Sequence, residues 1–241
     1  MKKKVISLLA VLALCLTLAV SAFAEGSQYK TGEYVTYAGH TNFDYFYTYT
    51  EKDVNYKCFS VMATDGQQFY SAVKESLYEY YRSAYADKDV TLRGAVQSIA
   101  GDGVPVIFAT WTVTNDDGKE KLTDTAEDVA PLFCKEGTTP DFRLFYDLYN
   151  DLTVSVAEDD SYMTIDNNPL NLKGGSIIYR DSGLEHVKLT NRSLGLPDWL
   201  YKEMLNTRAI DGRQKESFDN VTVTWSYHPN QGLEVIYRTN N

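Results

Sequence analysis

Residues that commonly mark enzyme and metal sites are scarce in this sequence. Of its 241 residues, three are cysteine and three are histidine. His40, His186 and His228 stand far apart, and no HExxH, CxxC, GxSxG or phosphate-binding glycine motif occurs. The sequence gives no support for serine catalysis or for a zinc site, and we predict neither a bound metal nor a cofactor.

Long apolar runs are also scarce, and the one strong run lies near the start of the sequence. Lys2-Lys3-Lys4 precedes a mainly apolar run from Val5 to Val20, and Ala22-Phe23-Ala24 has small residues where a signal peptidase reads them. The run is short for a membrane span. We expect residues 1–24 to be a secretory signal peptide of bacterial type. The mature chain would then be extracellular, free or associated with the cell wall, and without a membrane anchor.

Basic residues are outnumbered by acidic ones. The sequence has 23 Lys and Arg against 33 Asp and Glu, a net charge of −10. Loss of the three leader lysines would leave 20 basic groups against 33 acidic ones, so the mature net charge would be −13. So negative a surface repels polyphosphate, which makes nucleic acid and anionic lipid poor partners.

Two cysteines, Cys58 and Cys134, lie beyond the leader, and each has a phenylalanine beside it. A disulfide between them would close a long loop and stabilise the chain by roughly 4 kcal/mol. An apolar neighbour equally suits a buried free thiol. The sequence leaves both alternatives open.

Tyrosine is the residue in excess, since twelve of the nineteen tyrosines lie between Tyr29 and Tyr85. β-Forming residues predict strands over Glu33–Ala38, Phe43–Thr50 and Lys57–Ala63. The three- and four-residue spacing of apolar positions then predicts a long amphipathic helix over Gln67–Ala86.

The second half of the sequence predicts further short helices and strands. We expect helices after Pro140 and after Pro197, strands over Gly175–Tyr179 and Glu185–Leu189, and a closing hairpin around the turn at 228–232. The fold class is therefore α+β, mainly antiparallel sheet with one long helix and two or three short ones. Residues 25–135 and 141–241 would form two α+β halves, as degenerate copies or within one domain.

The tyrosine-rich strand carries the most specific candidate site. Strict alternation places Phe43, Tyr45, Tyr47 and Tyr49 on one face. If that face meets solvent, its rings would bind a glycan or a surface protein. If the predicted helix covers it, the row is core. Tyr227 and His228, near the closing turn, form a second candidate contact patch.

The leading hypothesis is thus a secreted binding protein without a catalytic site. Its rival is a glycosidase-like hydrolase that uses two carboxylates. The acids considered for that role are Asp44, Asp159, Asp160 and Glu185. Acids in turns and at strand edges are usually solvated surface groups, which favours the binding protein.

Overall fold

The protein has an α+β fold, as the sequence predicts. A computed structural model describes residues 29–108, 110–114, 120–121, 128–134 and 138–240. Within these ranges the chain forms a seven-stranded sheet, a five-stranded sheet and four α-helices. The expected signal peptide lies outside the described residues.

The first sheet is built from the N-terminal half. Its strands run in the order β1-β2-β3-β5-β4-β6-β7, and β4 also pairs with β1, so five of the strands close into a ring. Every pairing is antiparallel except the one between β3 and β5. The bounds are β1 Tyr34–Glu51, β2 Val54–Ala63, β3 Gln68–Lys74, β4 Asp89–Ile99, β5 Pro105–Ile107, β6 Thr110–Thr114 and β7 Glu120–Lys121.

The long helix predicted over Gln67–Ala86 is wrong in its first half. Gln68–Lys74 is strand β3, a 3₁₀ turn follows at Glu75–Leu77, and helix α1 spans only Tyr78–Tyr85. Phe69 and Val73 caused the error, because a spacing of four residues fits one helical turn and also two repeats of a strand. Pairing with β2 and β5 decides in favour of the strand.

The second sheet has the order β10-β11-β12-β9-β8, and all its pairings are antiparallel. The predicted closing hairpin is confirmed as β11 and β12. The bounds here are α2 Phe142–Tyr149, β8 Val154–Val156, β9 Tyr162–Asp166, α3 Ile177–Ser193, α4 Asp198–Asn206, β10 Gln214–Ser217, β11 Val221–His228 and β12 Gly232–Thr239.

The strands predicted at Gly175–Tyr179 and Glu185–Leu189 are wrong, because α3 runs through both. Gly183, Val187 and Asn191 recur at four-residue steps along this helix, and all three are buried. Gly183 lies so close to the backbone of Asn167 that a Cβ would come within 2.8 Å of its Cα. Short windows such as 185–189 alternate like a strand, and only the longer spacing shows the helical period.

One hydrophobic cluster contains residues of both sheets. Phe59, Phe69 and Leu92 from the first sheet belong to the same cluster as Val223 and Val235 from the second. The strand orders of the two sheets differ, and the duplication of halves stays a hypothesis. None of the helices in the described part of the chain is long and apolar enough to cross a bilayer.

Candidate functional site

A β-bulge in β1 decides which way the tyrosine row points. Asn42 pairs with Ser60 and Phe46 with Phe59, so three residues of β1 have no counterpart on β2. Phe43 therefore enters the main core, where it stacks on Phe59 at 4.2 Å between ring centroids. The prediction that Phe43 shares a face with Tyr45, Tyr47 and Tyr49 is wrong.

The other three tyrosines lie on the opposite face of the sheet from the main core. Tyr45 is 53% exposed, and Tyr47 and Tyr49 are half-buried. Tyr70 of β3 lies between the first two rings, 6.2 Å from Tyr45 and 5.5 Å from Tyr47, with its ring within 17° of parallel to each. No helix covers this row in the way the sequence suggested, because the residues expected to form that helix are strand β3 in the same sheet.

The row continues through a second group of rings. Tyr49 pairs with Tyr56 of β2 across the sheet, and their centroids are 6.0 Å apart. Phe108 contacts Tyr56 at 4.8 Å and Tyr49 at 6.2 Å. We call the six rings of Tyr45, Tyr47, Tyr49, Tyr56, Tyr70 and Phe108 the aromatic strip.

The strip rests on a small apolar cluster that fixes its shape. Cys58, Ala100 and Val106 are buried beneath it together with the ring of Tyr70. The Tyr70 hydroxyl donates a 2.8 Å hydrogen bond to Asp102 in the turn between β4 and β5. Burial, followed by this carboxylate, raises the pKa of Tyr70, so its hydroxyl stays protonated. The central ring is thus held in one orientation for the outer rings to stack upon.

A recess of about 310 Å³ adjoins the strip at the end where Tyr56 and Phe108 lie. Lys74 and Asp147 line it, and their side chains form a 3.2 Å ion pair that is largely shielded from solvent. Ser76 donates a 2.7 Å hydrogen bond to the same carboxylate. Charged and hydrogen-bonding groups therefore lie next to the ring faces, as in sites where polar contacts orient a stacked ligand.

Tyr227 and His228 belong to a different surface. Both lie at the end of β11 in the second sheet, where Tyr227 is 39% exposed. His228 lines a polar recess of about 340 Å³ together with Asp166, Asn171, Arg213, Gln231 and Glu234. The five predicted site residues thus fall on two sheets, three in the strip and two at this second location.

Asp166 and Glu234 stand directly opposite each other on β9 and β12 within that second recess. Burial raises the pKa of Asp166, and one hydrogen bond from the Asn168 amide only partly offsets it. The Arg213 guanidinium contacts the Glu234 carboxylate at 3.4 Å. Two carboxyl groups in unlike environments are the arrangement that general acid and base chemistry uses.

The carboxylates considered from the sequence are not brought together. Asp44 pairs with Arg82 at 3.0 Å and Glu185 with Lys188 at 3.6 Å, and all four side chains are well exposed. Asp159 accepts hydrogen bonds from Ser161, and Asp160 is bound by Arg143. These acids lie in turns or in surface ion pairs.

Sequence reasoning missed Tyr56, Tyr70, Phe108, Asp166 and Glu234. Tyr70 was hidden inside the predicted helix, although Gln68, Tyr70, Ala72 and Lys74 alternate with Phe69, Ser71 and Val73. Asp166 ends strand β9, and Glu234 lies within the predicted hairpin. Nothing in their spacing indicates that the hairpin pairs with β9.

Cys58 and Cys134 are free thiols. Burial raises the pKa of Cys58 to about 12, and burial followed by Asp141 raises that of Cys134 to about 11. Neither thiol is activated as a nucleophile. In the part of the chain that the structure describes, no group of three or more His, Cys, Asp or Glu side chains is placed to hold a metal ion.

Comparison of the chain with protein-family models, with curated proteins and with solved structures finds no match in any of the three. The site must therefore be interpreted from its own geometry.

Proposed function

We propose that the protein is exported, is cleaved after Ala24, and binds an extended glycan along the aromatic strip. The observation that carries this proposal is the position of Tyr45, Tyr47 and Tyr49, which are partly exposed on the sheet face turned away from the core. Half-exposed rings beside a polar recess offer flat apolar plates and hydrogen-bonding groups to the same ligand.

The shape of the strip favours a glycan over a folded protein partner. A stable protein interface buries about 800 Å² on each side and places its anchors in well-packed pockets. The strip is instead one row of rings with a recess at its end. A row of this kind fits an elongated ligand whose sugar faces stack on successive rings.

Substitution of the strip tyrosines tests this proposal. We expect Tyr45→Ala to weaken binding to cell-wall glycans about fivefold, because one stacked ring contributes roughly 1 kcal/mol beyond its buried area. The double variant Tyr45→Ala, Tyr47→Ala should abolish measurable binding. Glycan-array screening and calorimetry of residues 25–241 would provide the measurements.

The control is a double variant of two exposed tyrosines outside the strip, Tyr34→Ala with Tyr162→Ala. These rings are 70% and 38% exposed. The control should bind like the parent, and circular dichroism should show that all variants are folded. If the folded strip variants bind as well as the parent, or if only a protein partner binds, the proposal is wrong. Export is tested separately by sequencing the N-terminus of the secreted chain, expected at Glu25.

A second candidate function, hydrolysis of a glycosidic bond, is favoured by the opposed carboxyl groups of Asp166 and Glu234. Asp166, with its raised pKa, would act as the general acid, and Glu234, whose carboxylate contacts Arg213, as the nucleophile or base. This function would be supported if the parent released reducing sugar from a glycan and both the Asp166→Asn and the Glu234→Gln variants had lost that activity. Activity that survives either change would exclude this pair.

A further inference from the structure

Carboxylates border the aromatic strip without a cation to neutralise them. Glu51 ends β1 two residues after Tyr49 and so lies on the same face of the strand. After burial, its negative charge also raises the pKa of Tyr49 and Tyr56. Asp102 accepts a hydrogen bond from the hydroxyl of Tyr70. Among the described lysines and arginines, none forms an ion pair with Glu51 or Asp102.

Two lysines of the strands that carry the strip already have partners. Lys74 is paired with Asp147 in the recess. Lys57 points to the other face of the sheet, where its Nζ lies 4.2 Å from the ring centroids of both Phe46 and Tyr78. Neither lysine therefore pairs with the carboxylates beside the rings of the strip.

Ring faces and carboxylates together attract cations. The electron-rich face of a tyrosine binds an ammonium group, and a neighbouring carboxylate strengthens that attraction. The Lys57 contact shows this interaction on the reverse side of the same sheet. The net charge of −10 for the whole sequence adds long-range attraction for cations and repulsion for anions.

We infer that the strip selects glycans with free amino groups, such as glucosamine oligomers, over N-acetylated or acidic glycans. The inference rests on the proposed function and names the ligand class of the same site. A protonated sugar amine would lie over Tyr49 or Tyr56 next to Glu51, while the apolar face of the sugar stacks on the ring. A uronic acid polymer would bring its carboxylates toward Glu51 and Asp102 and be repelled.

The test compares three oligomers of one length: glucosamine, N-acetylglucosamine and galacturonate. Titration calorimetry is run at mildly acid pH, where sugar amines are protonated and glutamate remains ionised. We expect the glucosamine oligomer to bind most tightly and its affinity to fall with added salt. Glu51→Gln should weaken it about fivefold, as expected for the loss of one partly exposed charge pair, and should leave N-acetylglucosamine binding unchanged.

The matched control is Glu216→Gln, an exposed acid on β10 in the second sheet, which should bind all three oligomers like the parent. If N-acetylglucosamine or galacturonate binds the parent as tightly as glucosamine does, or if Glu51→Gln weakens neutral and amino oligomers equally, the inference is overturned while the proposed function stands. If none of the three binds the folded parent, the proposed function fails and the inference fails with it.

Discussion

Gly232 is the position where one added methyl group should cause the largest loss of stability in the second sheet. This residue begins β12 with a backbone φ of +87°, a conformation that non-glycine residues rarely adopt. A Cβ built on it would overlap the side-chain oxygen of Asn167 and lie 3.3 Å from Cβ of Asn168. Alanine at position 232 therefore introduces both backbone strain and a clash with a buried side chain.

The size of the loss follows from these two contributions. Left-handed backbone costs roughly 1–2 kcal/mol for a residue with a Cβ. The Asn167 side chain is 7% exposed, and its oxygen accepts a 2.8 Å hydrogen bond from the Leu233 amide. Displacing that oxygen leaves a buried amide without its partner, at about 1–3 kcal/mol. We expect Gly232→Ala to lower the free energy of unfolding by about 2–5 kcal/mol.

Gly174→Ala separates the two contributions. Gly174 has the same φ of +87°, but nothing lies within 4 Å of where its Cβ would be. This control should lose only the backbone contribution of about 1–2 kcal/mol. Urea unfolding followed by circular dichroism measures both variants. Equal losses for the two, within about 0.5 kcal/mol, would refute the assigned role of Asn167.

Three further predictions concern single side chains. Phe43→Ala should lower the free energy of unfolding by about 3–5 kcal/mol, because the Phe43 ring is buried in the core. Tyr45→Ala should lower it by less than about 1 kcal/mol, because the Tyr45 ring is half exposed. Urea unfolding of both variants checks this. Burial alone would raise the pKa of Asp151, yet hydrogen bonds from Ser182 and Thr153 lower it. Its stabilisation is therefore present above the unfolded pKa of about 4 and is lost as pH falls through the folded pKa. Asp151→Ala should cost about 1–3 kcal/mol at neutral pH, and the difference should shrink in acid-unfolding curves. Cys58 should resist alkylation in the native protein and react once urea unfolds it, as mass spectrometry would show.

Much of the fold could be predicted because local signals agree with the final pairing. β4, β9 and the closing hairpin alternate between buried and more exposed residues, and each forms as a strand. Asp141 precedes α2, and its side chain caps the helix by accepting hydrogen bonds from the amides of Arg143 and Leu144. The errors at β3 and α3 arise where a short window fits two periods, and there contacts between distant segments decide the outcome.

The candidate site could be predicted only in part, since register and not composition determines which face the tyrosines occupy. Strict alternation from Phe43 would carry Tyr45, Tyr47 and Tyr49 into the core with it. The bulge leaves three residues of β1 without a partner between Asn42 and Phe46. Because three is an odd number, it moves every later side chain to the opposite face.

Asn42 provides the local chemistry of that bulge. Its side-chain oxygen accepts hydrogen bonds from the amides of Asp44 and Tyr45, at 2.9 and 3.3 Å. Asparagine commonly bonds to the backbone two residues further along and so competes with regular strand pairing. The amides that it holds lie within the three residues that have no partner on β2. One asparagine thus accounts both for Phe43 lying in the core and for the tyrosines after it lying on the opposite face of the sheet.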